Sequence, residues 1–488
     1  MQGETSGTPG SGAWLRWIAL PAGPLLGLIA FWLPGPGLEP AARATAGVGV
    51  LMAVWWMTEA IPLAATALLP VVLFPLFGVV PVEQATAPYA NHIIFLFMGG
   101  FIIGLAMQRW ELHRRVALGI VALAGTRPAR LVGGFMLASA LLSMWISNTA
   151  TTIMLLPVGT SVLVTLEERL GENDRAGLAV MGTGLMLGIA YAASIGGLGT
   201  LLGSPPNLVL ANFAAAELHQ EITMLRWMSW GLPAVVLLLP AAWWYLTRWR
   251  FPARLSDSGA AHSAIHEARE SLGPMSRGEW VVAIVFLATA ACWVLRPQLA
   301  ALPGLGGLSD AVIAMAAALA LFLIPVDPRR REFAMDWETA RGLPWGILLL
   351  FGGGLSLAHA ISASGLDAWI ASNLGALSGL PLAVVIVAVV TVVVLLTELS
   401  SNTATANTFI PVLAAVAAGL GLPQLPVITA AALAASCAFM LPVATPPNAV
   451  VFSSGRVSIG QMVRAGLGLE IIALVLVSAL MMVVAHVL

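Results

Sequence analysis

Apolar runs near the ~20 residues that a helix needs to cross a bilayer alternate with short polar breaks along most of this chain. They cover residues 14–34, 46–80, 91–108, 131–166, 178–202, 229–247, 279–298, 309–326, 343–361, 380–418, 425–444 and 466–488. Several are too long for one helix and contain Pro or Gly, which predicts helices that break or double back. The pattern predicts an all-α polytopic membrane protein with roughly 11 transmembrane helices plus hairpins. Composition agrees: 59% of residues are hydrophobic, 9% are charged, and the mean hydropathy is +0.93. A soluble globular chain is far more polar.

The net charge of −1 is uninformative, but its distribution is not. Lysine is absent, so arginine supplies every fixed side-chain cation. Arginines cluster at Arg109/Arg114/Arg115, Arg127/Arg130, Arg248/Arg250/Arg254 and Arg329/Arg330/Arg331. The positive-inside rule makes the 250–278 linker and the 327–341 loop cytoplasmic, and a cytoplasmic N-terminus satisfies both. Residues 1–13 read as a disordered tail, without the basic region or cleavage site of a signal peptide. Cys292 and Cys437 sit in separate apolar runs and read as buried small hydrophobes, not as a disulfide or metal pair. The absence of lysine fits a GC-rich bacterial genome and hence an inner membrane. No feature of the charge pattern calls for a nucleic-acid partner.

One polar motif interrupts this apolar background twice. Ser147-Asn148-Thr149-Ala150-Thr151 recurs as Ser401-Asn402-Thr403-Ala404-Thr405, and Pro157 and Pro411 follow at equal distances. Small polar residues in a membrane interior usually bind something. The 254 positions between Asn148 and Asn402 also align the preceding hundred residues without a gap. They place Ile94–Gly100 on Leu348–Gly354 and Ser143 on Thr397. Downstream, Pro205-Pro206-Asn207 is echoed by Pro446-Pro447-Asn448 at the shorter offset of 241, after a longer charged connection at 167–175 in the first half. About five spans separate equivalent points, and an odd number reverses direction, so the halves are predicted to be inverted repeats with a site near the midplane.

Each motif is flanked by apolar segments of ~15 residues, shorter than a span. This predicts two re-entrant helical hairpins, 131–166 and 380–418, with the motif at each tip. Asn148 and Asn402 suit the turn, and Ser or Thr suits the cap of the following arm. That arm begins at the tip, so its free N–H groups, with Asn and Thr donors, would hold a carboxylate. The first arm ends there and leaves carbonyls without partners. Those carbonyls, with Ser143 or Thr397 one turn earlier, offer the oxygen ligands of a small cation. Gly196-Gly197-Leu198-Gly199-Thr200 and Leu441-Pro442-Val443-Ala444-Thr445 would unwind two further helices and free more carbonyls.

These residues resemble the divalent anion:sodium symporter family, which carries di- and tricarboxylates or sulfate. The resemblance rests on Trp55-Trp56-Met57-Thr58-Glu59-Ala60-Ile61-Pro62, both SNTAT motifs, Ile195-Gly196-Gly197 with Ser204-Pro205-Pro206-Asn207, and Leu441–Asn448. It implies a homodimeric elevator transporter in which a moving transport domain slides against a scaffold. The scaffold would be 14–130 and 279–379, and the transport domain 131–249 and 380–488. The resemblance implies one sodium site at Ser143, Asn148 and Gly196, and another at Thr397, Ser400, Asn402 and Ala444. Substrate carboxylates would meet the SNT tips, Ser147, Asn148, Thr149, Ser401, Asn402 and Thr403, with Thr445 and Pro446 nearby. Sodium-independent exchangers of the family replace cation ligands with basic side chains. No Arg or His stands at the matched positions, which favours Na+ coupling.

Other polar residues read as structural. Gly99-Gly100 and Gly352-Gly353-Gly354 suit close helix packing. Glu398 has Met144 as its repeat counterpart and reads as a supporting residue. Glu59 reads as satisfying backbone at a broken helix, and His359 as a packing histidine. An enzyme is not expected: neither HExxH nor a P-loop GxxxxGK[ST] occurs. A channel is the remaining rival, but the motif pairs cation and anion ligands instead of lining a pore with one chemistry. Within the transporter class, a sulfate carrier or a sodium-independent exchanger stays open, as does the choice of anion.

Overall fold

The computed structural model describes residues 13–33, 38–125, 127–169, 174–253, 266–267, 269–373 and 379–487. Nearly all of the tail, part of the 167–175 connection and the middle of the 250–278 linker lie outside the described residues.

The first half contains α1 (Ala13–Trp32), α2 (Pro40–Thr58), α3 (His92–Arg109), α4 (Leu112–Ala124), α5 (Pro128–Ser143), α6 (Asn148–Arg169), α7 (Arg175–Gly197), α8 (Pro205–Glu217) and α9 (Met224–Trp244). The second contains α10 (Arg277–Val294), α11 (Asp310–Leu323), α12 (Trp345–Ala363), α13 (Leu382–Thr397), α14 (Asn402–Gly419), α15 (Gln424–Ala435), α16 (Pro446–Ser453) and α17 (Ile459–Val487). Short helices fill several connections. Among the described residues, seven helices are long and apolar enough to cross a membrane, and six shorter apolar ones accompany them. The chain is thus a polytopic helical membrane protein. A two-stranded ribbon, Pro325–Asp327 with Glu332–Phe333, is the departure from all-α in the described residues.

Local chemistry sets the helix ends. Pro128 opens α5, Pro205-Pro206 open α8 and Pro446-Pro447 open α16, because a helix's first N–H groups need no intrahelical partner. Ser276 and Glu279 form a capping box at α10. The 46–80 run breaks after Thr58, where Glu59 enters the left-handed region at φ 48, and short helices follow at Leu63–Thr66 and Leu69–Leu76.

The duplication reads directly from the boundaries. α5 and α13 each have 16 residues, and each is followed by a break (Met144–Ser147, Glu398–Ser401) before a new helix begins at the motif asparagine. α7 and α15 give way to irregular backbone, and α8 and α16 restart at the paired prolines. One expectation fails here. The arms of the first hairpin are unequal, because α6 runs for 22 residues, and 148–168 is long and apolar enough to cross a bilayer. The helix starts at Asn148 itself and carries on through the polar Glu167 and Glu168.

Packing draws the two repeats together. α7 lies on α5 and α6, and α15 lies on α13 and α14. The broken helices cross, α7 against α16 and α8 against α15. Both outer ends of the first pair of arms lie beside one stretch of α7. Pro128 shares a small cavity with Met181 and Gly184, while Glu167 pairs at 2.7 Å with Arg456, whose carbonyl accepts from Thr183. One large hydrophobic core joins these elements, and smaller ones sit around α2 with α12 and α3 with α11. Gly99 meets the backbone of Ala314 and Gly353 that of Ala67, so the glycine runs serve close packing as expected.

Candidate functional site

The two helix breaks that carry the SNT motifs sit against the two unwound stretches. Ser204, which precedes α8, shares a 2.8 Å hydrogen bond with Ser436, which follows α15, and both are fully buried. The irregular segments of the two repeats therefore touch.

Around the first break, three oxygens, Ser143 Oγ, Ala193 O and Gly203 O, surround the Asn148 amide. Asn148 Oδ1 lies 2.5 Å from Ser143 Oγ. With its amide turned the other way, Asn148 Nδ2 donates to Ala193 O and Gly203 O, each at 3.1 Å, and to Ser143 Oγ. The second orientation satisfies the protein unaided. The first points an amide oxygen at two carbonyls and a hydroxyl, an oxygen cage of the kind a hard cation takes. Gly197 makes room, since a Cβ there would stand 2.7 Å from Asn148 Oδ1.

The second break repeats the scheme. Thr397 Oγ1 lies 2.7 Å from Asn402 Oδ1 and 2.8 Å from Ala435 O. A hydroxyl has one proton, so it cannot satisfy both acceptors at once. Again three oxygens crowd one point beside a motif asparagine.

Several expected residues fall elsewhere in the scheme. Asn148 and Asn402 do not form the turns; they are the first residues of α6 and α14. Ser147 Oγ accepts from Ala150 N at 3.3 Å, whereas Ser401 caps α14 without a side-chain bond. Ser400 is engaged with Leu396 O at 3.0 Å and Thr405 Oγ1 at 2.7 Å. Gly196 O accepts from Gly199 N at 2.9 Å, and the carbonyls at Asn148 come from Ala193 and Gly203. Ala444 is buried, and it is the repeat counterpart of Gly203 at the 241 offset. Thr149 is half-buried, Thr403 and Thr445 are buried, and Pro446 is exposed. Thr445 Oγ1 caps α16 by accepting from Asn448 N at 3.3 Å.

The Pro-Pro-Asn elements hold the breaks. Asn207 Nδ2 donates to Gly197 O at 2.8 Å and Thr200 O at 2.7 Å. Asn448 Nδ2 donates to Leu441 O at 3.0 Å and Ala438 O at 3.5 Å. The 241 offset maps each pair of carbonyls onto the other. Each asparagine thus occupies two carbonyls that unwinding leaves without helical donors.

The anchors differ between repeats. In the first, donors hold carbonyls: Thr200 Oγ1 donates to Met144 O, and Trp227 Nε1 donates to Leu198 O at 2.9 Å. In the second, carboxylates hold N–H groups. Glu398 accepts from Met440 N at 2.9 Å and Leu441 N at 3.0 Å, and Glu470 accepts from Phe439 N at 3.2 Å. Glu398 is thereby a backbone clamp, as its place in the repeat implied, and Glu470 is an anchor that sequence reading missed. Away from the breaks, two arginines of the first cluster are tied down. Arg115 holds Glu279 and the carbonyls of 272–274, and Arg109 pairs with Asp336 at 2.5 Å. The Thr339 N–H and the Arg109 guanidinium keep the Asp336 carboxyl below the usual carboxylate range.

A polytopic helical protein whose duplicated breaks gather oxygens in its interior has the build of a membrane transporter. The family profile described as "Sodium:sulfate symporter transmembrane region" matches residues 15–488, and the chain belongs to this family, one of transporters and not enzymes. It is 39% identical over 468 residues to the "Sodium-dependent dicarboxylate transporter SdcS" of Staphylococcus saprophyticus, covering 94% of this chain and 89% of that one. The protein of the same description from Staphylococcus aureus (strain NCTC 8325 / PS 47) matches equally, 39% over 468 residues with the same coverage. Its fold is similar to that of the Alcanivorax borkumensis YdaH transporter, with a TM-score of 0.58, 17% identity and 96% of each chain covered.

Proposed function

We propose that the protein is a sodium-coupled symporter of di- or tricarboxylates such as succinate, malate or fumarate. The observation that carries this reading is the duplicated oxygen cluster: in each repeat a motif asparagine, a hydroxyl five residues earlier and backbone carbonyls meet beside the free N–H groups of a helix start. The carbonyl side would take sodium and the N–H side a carboxylate. Substrate contacts are assigned to Ser147, Asn148, Thr149, Ser401, Asn402, Thr403, Thr445 and Pro446. Sodium is assigned to Ser143 and Asn148 in one site and to Thr397 and Asn402 in the other, with carbonyls of Ala193, Gly203 and Ala435 added to the expected set. The names of the two staphylococcal relatives support both the cation and the substrate class.

The working cycle is an elevator. Residues 131–249 and 380–488 travel as the transport domain against 14–130 and 279–379, in a bacterial inner membrane, as a homodimer with a cytoplasmic N-terminus. Roughly 11 spans and two re-entrant hairpins fill the bilayer. The shared neighbourhood of Pro128 and Glu167 beside α7 supports re-entry of the first hairpin.

Uptake of labelled succinate, citrate and sulfate into proteoliposomes, with a sodium or a choline gradient, tests the reading. Succinate uptake driven by sodium is expected. Uptake indifferent to sodium would overturn the symport, and preferential sulfate uptake would move the protein to the alternative substrate in the family's description.

A further inference from the structure

Asn212, on α8, is fully buried, and neither its Nδ2 nor its Oδ1 has a hydrogen-bond partner among the described residues. Buried amides in native proteins almost always bond to protein, to water or to an ion. This one lines a small cavity together with Asn407 of α14 and Gly354 and Leu355 of α12. At about 10 Å³ the cavity holds one water-sized occupant. Asn407 Nδ2 donates to Thr403 O at 2.9 Å, which ties the cavity floor to the second SNT tip one helical turn away.

Outward from the floor, Phe213, Ala358 and Pro411 line both this cavity and a larger one of about 190 Å³. The polar groups of the larger cavity are Glu217, Ser362, Asp367 and Gln424, with no arginine among its lining residues. His219 and His359 stand near Glu217. The recess therefore has a mouth with two carboxylates, apolar walls and an amide floor.

We propose that this recess admits sodium, and not the carboxylate substrate, to the second tip. The inference rests on the sodium-coupled reading above and adds the ion's route to it. Two carboxylates over low-dielectric walls concentrate a monovalent cation and repel a dianion. At the floor, Asn212 Oδ1 replaces part of the ion's hydration, since a hard cation exchanges water for oxygen ligands. When the ion is absent, Asn212 Nδ2 can donate to the single water that takes its place.

The test is a sodium titration of succinate uptake in proteoliposomes, comparing the wild-type protein with a Glu217→Gln/Asp367→Asn variant. The half-activating sodium concentration is expected to rise about fivefold, by loss of the attracting field. The kcat and the succinate KM at saturating sodium should stay put, whereas a merely structural defect lowers kcat. Asn212→Asp adds a charge at the floor and should lower the half-activating concentration, and Asn212→Leu should raise it. Sodium constants unchanged in the Glu217/Asp367 variant overturn the proposal. So does a fall in the succinate KM, which would mark the recess as the anion's route. Wild-type uptake that ignores sodium is a different failure, of the symport reading itself, and shows before any variant is compared.

Discussion

Asn148 and Asn402 each stand at a helix start with the side chain among oxygens, so on the proposed reading each would meet a cation with its amide and an anion with its N–H groups. Alanine at either position removes one amide oxygen from a cluster of three or four, and neither repeat can substitute for the other. Asn148→Ala and Asn402→Ala should each reduce sodium-driven succinate uptake by more than ~10-fold, the scale of one lost charge-assisted contact. A variant that keeps near-normal sodium-dependent uptake removes that asparagine from the site. The side chains of this arrangement were legible because repetition marked them: Ser143 and Thr397 share a register with their asparagines. The carbonyls of Ala193, Gly203 and Ala435 were not legible, since every residue type has the same carbonyl and only the bend of the backbone selects one. Gly203 was the nearest to a signal, as the counterpart of Ala444.

The elements that break are stabilised by asparagines acting on backbone. Asn207 satisfies the carbonyls of Gly197 and Thr200, and Asn448 does the same seven and ten residues upstream of itself. Asn207→Ala orphans two buried carbonyls and should cost ~2 kcal/mol, given about 1 kcal/mol or more for each. The readout is the thermal unfolding midpoint in detergent, with Asn207→Asp alongside. Aspartate matches the size but cannot donate when ionised, so an Asp variant as stable as wild type would refute the staple. The places where helices break were legible from the SNT and Pro-Pro-Asn elements that punctuate the apolar runs, although Asn148 and Asn402 begin the following helix instead of forming the turn. Three helices were not anticipated, α4, α8 and α16, the last opening on Pro446-Pro447 in the gap between two apolar runs. α4 carries His113, Arg114 and Arg115 in its first turn, and α8 opens on two prolines and holds Asn207 and Asn212, so these two do not form apolar runs.

At the scale of the whole molecule, the elevator makes a mechanical claim. On the proposed elevator, α12 would belong to the part that stays and α8 and α14 to the part that moves, and the residues lining the recess come from both. Gly354 of α12 is one point where the two parts would meet: a Cβ placed on it would stand 3.3 Å from Asn407 Cβ on α14. This is close to the ~3.5–4.5 Å that a disulfide spans between Cβ atoms. A Gly354→Cys/Asn407→Cys protein, with Cys292 and Cys437 replaced by alanine, should therefore cross-link under mild oxidation. If α14 must slide past α12 in each cycle, the oxidised protein is arrested and succinate uptake falls to background, then returns with a reductant. Each single cysteine variant should be insensitive to the oxidant, which separates the cross-link from the loss of Asn407. Full uptake by the oxidised double variant would mean that α12 and α14 keep their contact throughout transport. The motion would then have to lie within the hairpins themselves, opening over a fixed site.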